Sequence, residues 1–321
     1  MKKKIRLDAP QVIITLLSAI SIAIIAFIFI FVFSKAWPVF AHNGLSYFIK
    51  GGFDRQISDA FYSSGSDPSL TFGMLGLILG TLCTTLAALL IAGFIGVGAS
   101  ITITEYTGPK LGSILLAVVR LLASIPSVIF GLIGIVTVVP LVEKLFVSVD
   151  MQIEYLQFFQ MTGKNMLSAI IVLTFMIVPT VISLSTDALK AVPLTYKESG
   201  YAFGMSRFRV IYKIILPSAR SGIIASLILA AGRGIGEAIA VSMVCGGLGI
   251  IPKAGFGFVN FLAPTLPLAA AIINKSEAMG SMPVEAALFS CGATLLVIGA
   301  ILSIGAGVVQ KHLRKAAGYS D

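Results

Sequence analysis

The chain has 321 residues, of which 57% are hydrophobic and only 12% are charged, and its mean hydropathy is +1.00. A soluble domain carries about 25% charged residues, so the composition excludes a soluble globular protein and indicates a polytopic membrane protein. The formal net charge of +9 would by itself also suit nucleic acid or an anionic membrane surface as a partner.

Apolar runs in chain order predict the membrane spans, because a helix of about 20 residues crosses the hydrocarbon layer. Six runs are long enough, and they cover residues 12–33, 72–103, 111–142, 166–184, 223–245 and 286–309. A seventh run, 256–273, is interrupted by Pro264 and Pro267. Irregular backbone at membrane depth must be buried in protein, so we expect a re-entrant or surface segment, with a seventh span as the alternative.

The distribution of Lys and Arg predicts the orientation of these spans. With a cytoplasmic N-terminus, six crossings leave the cytoplasmic side with Lys2, Lys3, Lys4, Arg6, Lys110, Lys190, Lys197, Arg207, Arg209, Lys213, Arg220, Lys311, Arg314 and Lys315. The outer side holds half as many, namely Lys35, Lys50, Arg55, Lys144, Lys164, Lys253 and Lys275. This bias follows the positive-inside rule. We therefore expect both termini in the cytoplasm, membrane lipid as a partner and no binding of nucleic acid.

The sequence lacks the common motifs of soluble chemistry. It contains no G-x-x-x-x-G-K-[ST] phosphate loop and no H-E-x-x-H, and its cysteines Cys83, Cys245 and Cys291 lie singly in or beside apolar runs. A chain without the phosphate loop is not expected to hydrolyse ATP by itself. We accordingly predict no metal site, no bound cofactor and no enzyme activity in this chain.

One segment, 187–217, is expected in the cytoplasm. It is polar, and its residues have the spacing of a helix start and a helix end. Thr195 and Glu198 have the S/T-x-x-E spacing of a helix-capping box, and Pro193 just upstream suits a helix start. The pattern predicts a short helix from about Thr195 to Phe203, ended by Gly204. An ordinary amphipathic helix at the membrane surface is the alternative interpretation.

The same segment resembles the "EAA" loop of ABC importer permeases, E-A-A-x3-G-x9-I-x-L-P. The matching positions are Glu198, Gly204, Ile214, Leu216 and Pro217, while Ser199 and Gly200 replace the two alanines. The resemblance implies that the predicted helix is a coupling helix, which inserts into a cleft on a separate ATPase subunit. It also implies that the small residues at positions 199 and 200 let the helix seat deeply.

Two predicted spans contain charged residues. Arg233 and Glu237 are spaced i, i+4 in the fifth span, and Arg120 lies about nine residues into the third. Charges at that depth are costly and mark pathways or paired structural groups. An anion pathway would use the arginines, whose planar donors suit tetrahedral oxyanions. The alternatives are a structural ion pair, with Arg120 snorkelling to the surface, and an intramembrane enzyme that uses Glu237 as acid or base.

Two stretches resemble one permease family in particular. Residues 232–244, GRGIGEAIAVSMV, are similar to the GRALGETMAVTMV stretch of the PstC family of phosphate importer permeases, and residues 123–132 are similar to its GIPSVVYGF segment. The resemblance implies an all-α type I ABC importer (MetI-like) permease fold with six transmembrane helices. It implies as partners a PstA-like second permease, a PstB-like ATPase dimer and a periplasmic or lipid-anchored phosphate-binding protein. Arg233 and Glu237 match the arginine and glutamate of the family, which implies a role in phosphate passage.

The predicted organisation has three parts. Residues 1–70 form an N-terminal transmembrane helix and an external loop, 71–310 form the transport core with its coupling loop at 187–217, and 311–321 form a cytoplasmic tail. The predicted function is import of inorganic phosphate across the plasma or inner membrane. Import of another oxyanion, namely molybdate, tungstate or sulfate, is the alternative, because nothing in the spans excludes it.

Overall fold

A computed structural model describes residues 9–62 and 70–316 of the chain. Four of the basic residues counted above, part of the predicted external loop and the end of the predicted tail lie outside the described residues, namely Lys2, Lys3, Lys4, Arg6, 63–69 and 317–321.

The described residues are largely helical, and they form no β-strand. The α-helices are α1 (Ala9–Asn43), α2 (Ser46–Ile49), α3 (Phe53–Tyr62), α4 (Leu75–Ile101), α5 (Pro109–Ala123), α6 (Ser127–Ile133), α7 (Val139–Phe146), α8 (Val149–Tyr155), α9 (Met166–Lys190), α10 (Leu194–Ala202), α11 (Arg207–Val210), α12 (Leu216–Ile235), α13 (Ile239–Val244), α14 (Val259–Leu262), α15 (Leu268–Asn274) and α16 (Met282–Ala316). Five-residue π-helical segments follow α4, α6 and α11, at Thr102–Tyr106, Gly134–Val138 and Ile211–Ile215.

Six helical segments of the described residues are long and apolar enough to cross a membrane, which confirms the predicted number. They are Pro10–Asn43, Leu75–Tyr106, Ser127–Phe146, Met166–Lys190, Arg207–Ile235 and Met282–Val309. Apart from Met166–Lys190, these segments have largely exposed apolar surfaces on the isolated chain, as expected for helices that face lipid or another membrane subunit.

Helix α9 forms the centre of the bundle. It packs against α4, α5 and α12, and 61% of its most apolar stretch is buried, against none of the corresponding stretch in α1. The contact with α4 depends on Gly96, because a Cβ at that position would lie 2.7 Å from Cγ1 of Val181. Small residues at such contacts let helix backbones approach closely. Side chains on α9 are therefore held in fixed positions relative to α4, α5 and α12.

The third predicted span, 111–142, is not one helix, so that prediction is wrong in its boundaries. Helix α5 ends at Ala123, and the membrane-length segment begins only at Ser127. The break falls at Pro126, which has no N–H to donate and disfavours helical geometry at the preceding Ile125. Arg120 consequently belongs to a separate helix that precedes the span.

The fifth predicted span, 223–245, is also displaced. The helical segment begins at Arg207 and ends at Ile235, where three glycines at alternate positions, 232, 234 and 236, lower helix propensity. Pro217 lies inside the segment, as the second residue of α12 after the π-helical turn Ile211–Ile215. A proline cannot donate to the carbonyl four residues back, which accounts for the wider turn there.

The seventh apolar run does not form a continuous helix. Within 256–273 the helices α14 and α15 are separated by residues 263–267, and the backbone of that break is hydrogen-bonded inside the protein. The N–H of Thr265 donates to the carbonyl of Cys245 at 2.7 Å, and the N–H of Leu268 donates to Oγ1 of Thr81 at 2.9 Å. The run is therefore not a seventh helical span, which agrees with the expectation of a re-entrant or surface segment.

Candidate functional site

Arg233 lies near the end of α12 and points towards α9. Its Nη1 donates to Oγ1 of Thr180 at 2.9 Å, and the side chain is half-buried. A groove with a volume of about 480 Å³ lies beside it, between α12 and α16, and Leu229 and Ser303 are among its lining residues. A guanidinium that is held by one neutral hydroxyl and bordered by a groove keeps donors available for an anion.

Glu237 lies beyond the end of α12, so the structural ion pair with Arg233, which was the alternative interpretation, is not formed. Helix α12 ends at Ile235, and the two side chains form no ion pair within the described residues. Oε1 of Glu237 instead accepts from the N–H of Ala240 at 2.9 Å, which caps the start of α13.

The G-x-x-x-G pair of this region, Gly232 and Gly236, is exposed. A Cβ at Gly232 would meet nothing within 4 Å, whereas one at Gly234 would lie 3.1 Å from Cγ2 of Thr85. Among the described residues, Gly232 therefore makes no close helix contact, and the intervening Gly234 makes the close contact with α4. The exposed face stays accessible to another subunit.

Arg120 is not buried within a span, contrary to its predicted position. It lies in the last turn of α5, about half of its side chain is exposed, and its Nη2 donates to both carboxylate oxygens of Asp187, at 2.9 and 3.2 Å. Its Nε donates to Oγ of Ser183 at 3.3 Å. Asp187 lies one turn from the end of α9 at Lys190, so Arg120 is close to the end of the bundle that the predicted topology assigns to the cytoplasm.

The short helix predicted in the polar segment is confirmed as α10. Gly204 has φ +71° and follows the helix as its left-handed terminator. The N–H of Gly204 donates to the carbonyl of Tyr201 at 2.9 Å, and that of Met205 donates to the carbonyl of Gly200 at 3.1 Å. These two bonds define a Schellman C-cap, for which glycine is preferred because a side chain is strained at positive φ.

The start of α10 differs from the prediction. The helix begins at Leu194 after Pro193, and no side chain caps it, so the expected capping box of Thr195 and Glu198 is not formed. The carbonyl of Thr195 instead accepts from Oγ of Ser199 at 2.7 Å inside the helix. Pro193 occupies the N-cap position with φ −57° and ψ 138°, and its side chain has no oxygen that could accept a capping bond.

Gly200 faces the interior of this chain and not a partner. It is buried, and a Cβ there would lie 2.7 Å from Cδ1 of Ile214 and 3.0 Å from Cγ2 of Val210. The expectation that small residues at both 199 and 200 serve docking is thus wrong for Gly200. The small size of Gly200 lets α10 pack on the helical segment that begins at Arg207, where Ile214 lies beside it.

The opposite face of α10 and the turn after it expose large side chains to solvent. We call this surface the α10 face; it comprises Leu194, Tyr196, Tyr201, Phe203 and Phe208 together with the exposed Glu198. Phe203 is 87% exposed. Aromatic side chains clustered on an exposed surface next to a charged residue are typical of protein interfaces.

Two contacts tie this region to the end of the second span. Nζ of Lys197 forms a salt bridge with Oε1 of Glu105, whose side chain is only 6% exposed, and the guanidinium of Arg207 lies 4.9 Å from the centre of the Tyr106 ring. Glu105 and Tyr106 belong to the π-helical turn that extends α4. These contacts link the α10 region to the end of α4.

Replacement of Lys197 by Met is expected to destabilise the protein, because it leaves the buried carboxylate of Glu105 without a counter-ion. Since Lys197 itself is partly exposed, we expect a loss of about 2 kcal/mol, measured as a lower melting temperature of the purified protein. The double variant Lys197→Met/Glu105→Leu should recover most of the loss. A single variant as stable as the wild type would show that the pair does not hold α10.

Several residues of this site were not apparent in the sequence. Thr180 and Ser183 have no distinguishing feature within an apolar run, and their role depends on which helix faces α9. Asp187 and Glu105 were more conspicuous, because each is an isolated carboxylate at the end of such a run. Isolated carboxylates of this kind are a usable signal for a basic partner elsewhere in the chain, since charges next to the membrane are usually paired.

Comparison with solved structures defines the class of protein. The fold is similar to two inward-facing structures of the MetNI methionine ABC transporter. One has a TM-score of 0.53 and 17% identity and covers 78% of this chain and 99% of that one; the other has a TM-score of 0.52 and 16% identity. This likeness assigns the chain the type I (MetI-like) ABC importer permease fold.

The sequence comparisons define the family. Residues 92–315 match the model of the family described as "Binding-protein-dependent transport system inner membrane component", and the chain belongs to that family. It is 32% identical to "Probable ABC transporter permease protein YqgH" of Bacillus subtilis over 90% of this chain and 85% of that protein. It is 33% identical to "Phosphate transport system permease protein PstC 1" of Mycobacterium tuberculosis (76% and 74%) and 32% identical to PstC of Pasteurella multocida (76% and 77%).

The resemblance to PstC permeases is therefore confirmed. The chain is a multi-pass membrane component of an ABC import system, and its relatives are transport components rather than enzymes.

Proposed function

We propose that this chain is one of two permease subunits of an ATP-driven, binding-protein-dependent importer of inorganic phosphate. The observation that carries the proposal is Arg233, whose guanidinium stands beside a groove with only Thr180 as its hydrogen-bonded partner among the described residues. Several relatives are named as phosphate transport permeases. A guanidinium suits a tetrahedral oxyanion, because its planar donors pair with two oxygens at once.

The proposed assembly has the partners implied by the family. A PstA-like permease completes the pathway, and we assign the exposed faces of Arg233, Glu237 and Gly232 to that side of the molecule. A phosphate-binding protein docks on the outer segments, within 34–70 and 246–285. Both termini lie in the cytoplasm under this proposal, and the boundaries 1–70, 71–310 and 311–321 stay predictions.

ATP hydrolysis is assigned to a separate PstB-like ATPase dimer. The α10 face, with Glu198 and Ser199 exposed on it, is proposed to dock into that subunit. Closure of the dimer would then move α10, and the contacts of Gly200 and Lys197 would carry the movement to α12 and α4. Ile214, Leu216 and Pro217 contribute as part of the helical segment on which α10 packs. Alternating access follows when the spans rock about α9.

Competition between oxyanions tests the substrate. Cells that depend on this transporter are expected to take up radiolabelled phosphate, and excess unlabelled phosphate should suppress the uptake while sulfate, molybdate and tungstate do not. If one of the other anions suppresses uptake at a lower concentration than phosphate does, that anion is the substrate. The assignment of the chain as a permease would then still hold. A strain that lacks the chain serves as the control for background uptake.

A further inference from the structure

One face of α9 binds both of the arginines singled out in the sequence. Thr180, Ser183 and Asp187 are spaced i, i+3, i+7, so they lie on one side of the helix. Thr180 holds Arg233 from α12, and the other two hold Arg120 from α5. We call this row of two hydroxyls and one carboxylate, Thr180, Ser183 and Asp187, the polar ladder. It binds the guanidinium of Arg233 at one end and that of Arg120 at the other.

The distances along this ladder are short. Thr180 and Asp187 are seven positions apart, which corresponds to about 10 Å along the helix axis. An ion that leaves Arg233 and moves towards the Lys190 end of α9 would next reach Arg120, since the two guanidinium groups bind adjacent turns. The ladder is also accessible, because Thr180 and Ser183 are partly exposed and Asp187 is exposed.

Asp187 takes the place at Arg120 that an external oxyanion would occupy. Both of its carboxylate oxygens accept from Nη2 of Arg120, at 2.9 and 3.2 Å, while the hydroxyl of Ser183 accepts from Nε at 3.3 Å. The pair is about half exposed on both sides. Exposed ion pairs contribute little to stability, so holding helices together is a weak reason for this arrangement.

We propose that Arg120 is a second binding position for the transported oxyanion, and that Asp187 occupies it as an internal competing anion until the substrate displaces it. The proposal rests on the proposed function, because it takes Arg233 as the preceding position. Asp187 then closes the inner end of the pathway in the resting state. The substrate class is a tetrahedral oxyanion that can accept from a guanidinium and a hydroxyl together.

Equilibrium binding of inorganic phosphate to the purified, nucleotide-free complex of both permeases and the ATPase tests this proposal. Asp187→Asn removes the competing charge and keeps the shape, so phosphate should bind about tenfold more tightly than to the wild type, the factor expected for loss of one competing charge-assisted bond. Adding Arg120→Gln to Asp187→Asn should abolish the gain. Asp150→Asn, a matched change at an exposed residue of α8, should leave binding unchanged.

The outcomes distinguish a wrong assignment of the Arg120 site from a wrong assignment of the substrate. A purely structural ion pair predicts equal effects of Arg120→Gln and Asp187→Asn, and that result, or a gain that persists when Arg120 is removed, would overturn the proposal. If Asp187→Asn binds sulfate or molybdate, but not phosphate, more tightly than the wild type does, the result supports the Arg120 site and rejects phosphate as the substrate. If Asp187→Asn does not assemble, Asp187→Ser gives the same comparison, because it also removes the charge.

Discussion

Replacement of Arg233 by Gln is expected to reduce phosphate uptake by about tenfold to a hundredfold while the complex still assembles. The change removes a charged donor whose hydrogen bonds are worth about 1.5–3 kcal/mol each, and 1.4 kcal/mol corresponds to a factor of ten. Its only hydrogen-bonded partner among the described residues is the hydroxyl of Thr180, so the loss leaves no buried charge unpaired. Initial rates of radiolabelled phosphate uptake measure the effect.

Two matched variants separate charge from geometry at this position. Arg233→Lys keeps the charge but loses the planar donors, and we expect uptake between that of the wild type and that of Arg233→Gln. Thr180→Val removes only the hydroxyl that orients the guanidinium and should have a smaller effect. Normal uptake by Arg233→Gln would reject the pathway role of this residue.

Replacement of Phe203 by Ala is expected to weaken binding of the ATPase subunit about 30-fold, without loss of stability of the chain itself. The ring is 87% exposed, so its removal leaves no cavity in the isolated chain. A central aromatic side chain in an interface contributes about 2 kcal/mol or more when it is truncated, which corresponds to roughly that factor. Co-purification of the ATPase and stimulation of ATP hydrolysis by the binding protein are the measurements.

Phe94→Ala is the matched control for this variant. Phe94 is 86% exposed, but it lies on the apolar second span, where we expect it to face lipid. Its replacement should leave ATPase binding unchanged. Equal losses in the two variants would indicate a general effect of removing an exposed aromatic residue, and they would contradict docking through the α10 face.

The local pattern of the sequence was enough to predict the number of spans and the position of α10. Apolar runs of sufficient length identify helices that cross a membrane, and Gly204 marks a helix end because it can adopt positive φ at little cost. The family could also be predicted, since the spaced loop pattern and the stretch at 232–244 do not depend on tertiary contacts. These features are fixed by residues close together in the chain.

The predictions failed where two elements share an apolar run. Residues 111–142 and 223–245 each contain a helix break, at Pro126 and after Ile235, and the mean hydropathy of a long run does not register a break of a few residues. The ion pair considered for Arg233 and Glu237 is not formed for the same reason. Their i, i+4 spacing brings the side chains together only in an unbroken helix. The partners of both arginines are on α9, more than fifty residues away from each, which spacing cannot reveal.

Reconstitution in lipid vesicles tests the proposed function most directly. The chain would be assembled with its second permease, its ATPase and its binding protein, and entry of radiolabelled phosphate would be followed with and without ATP. We predict uptake that requires ATP and the binding protein, and that is lost when this chain carries Arg233→Gln although ATP hydrolysis can still be detected. Uptake that proceeds without ATP, or that is unchanged by Arg233→Gln, would contradict the proposal.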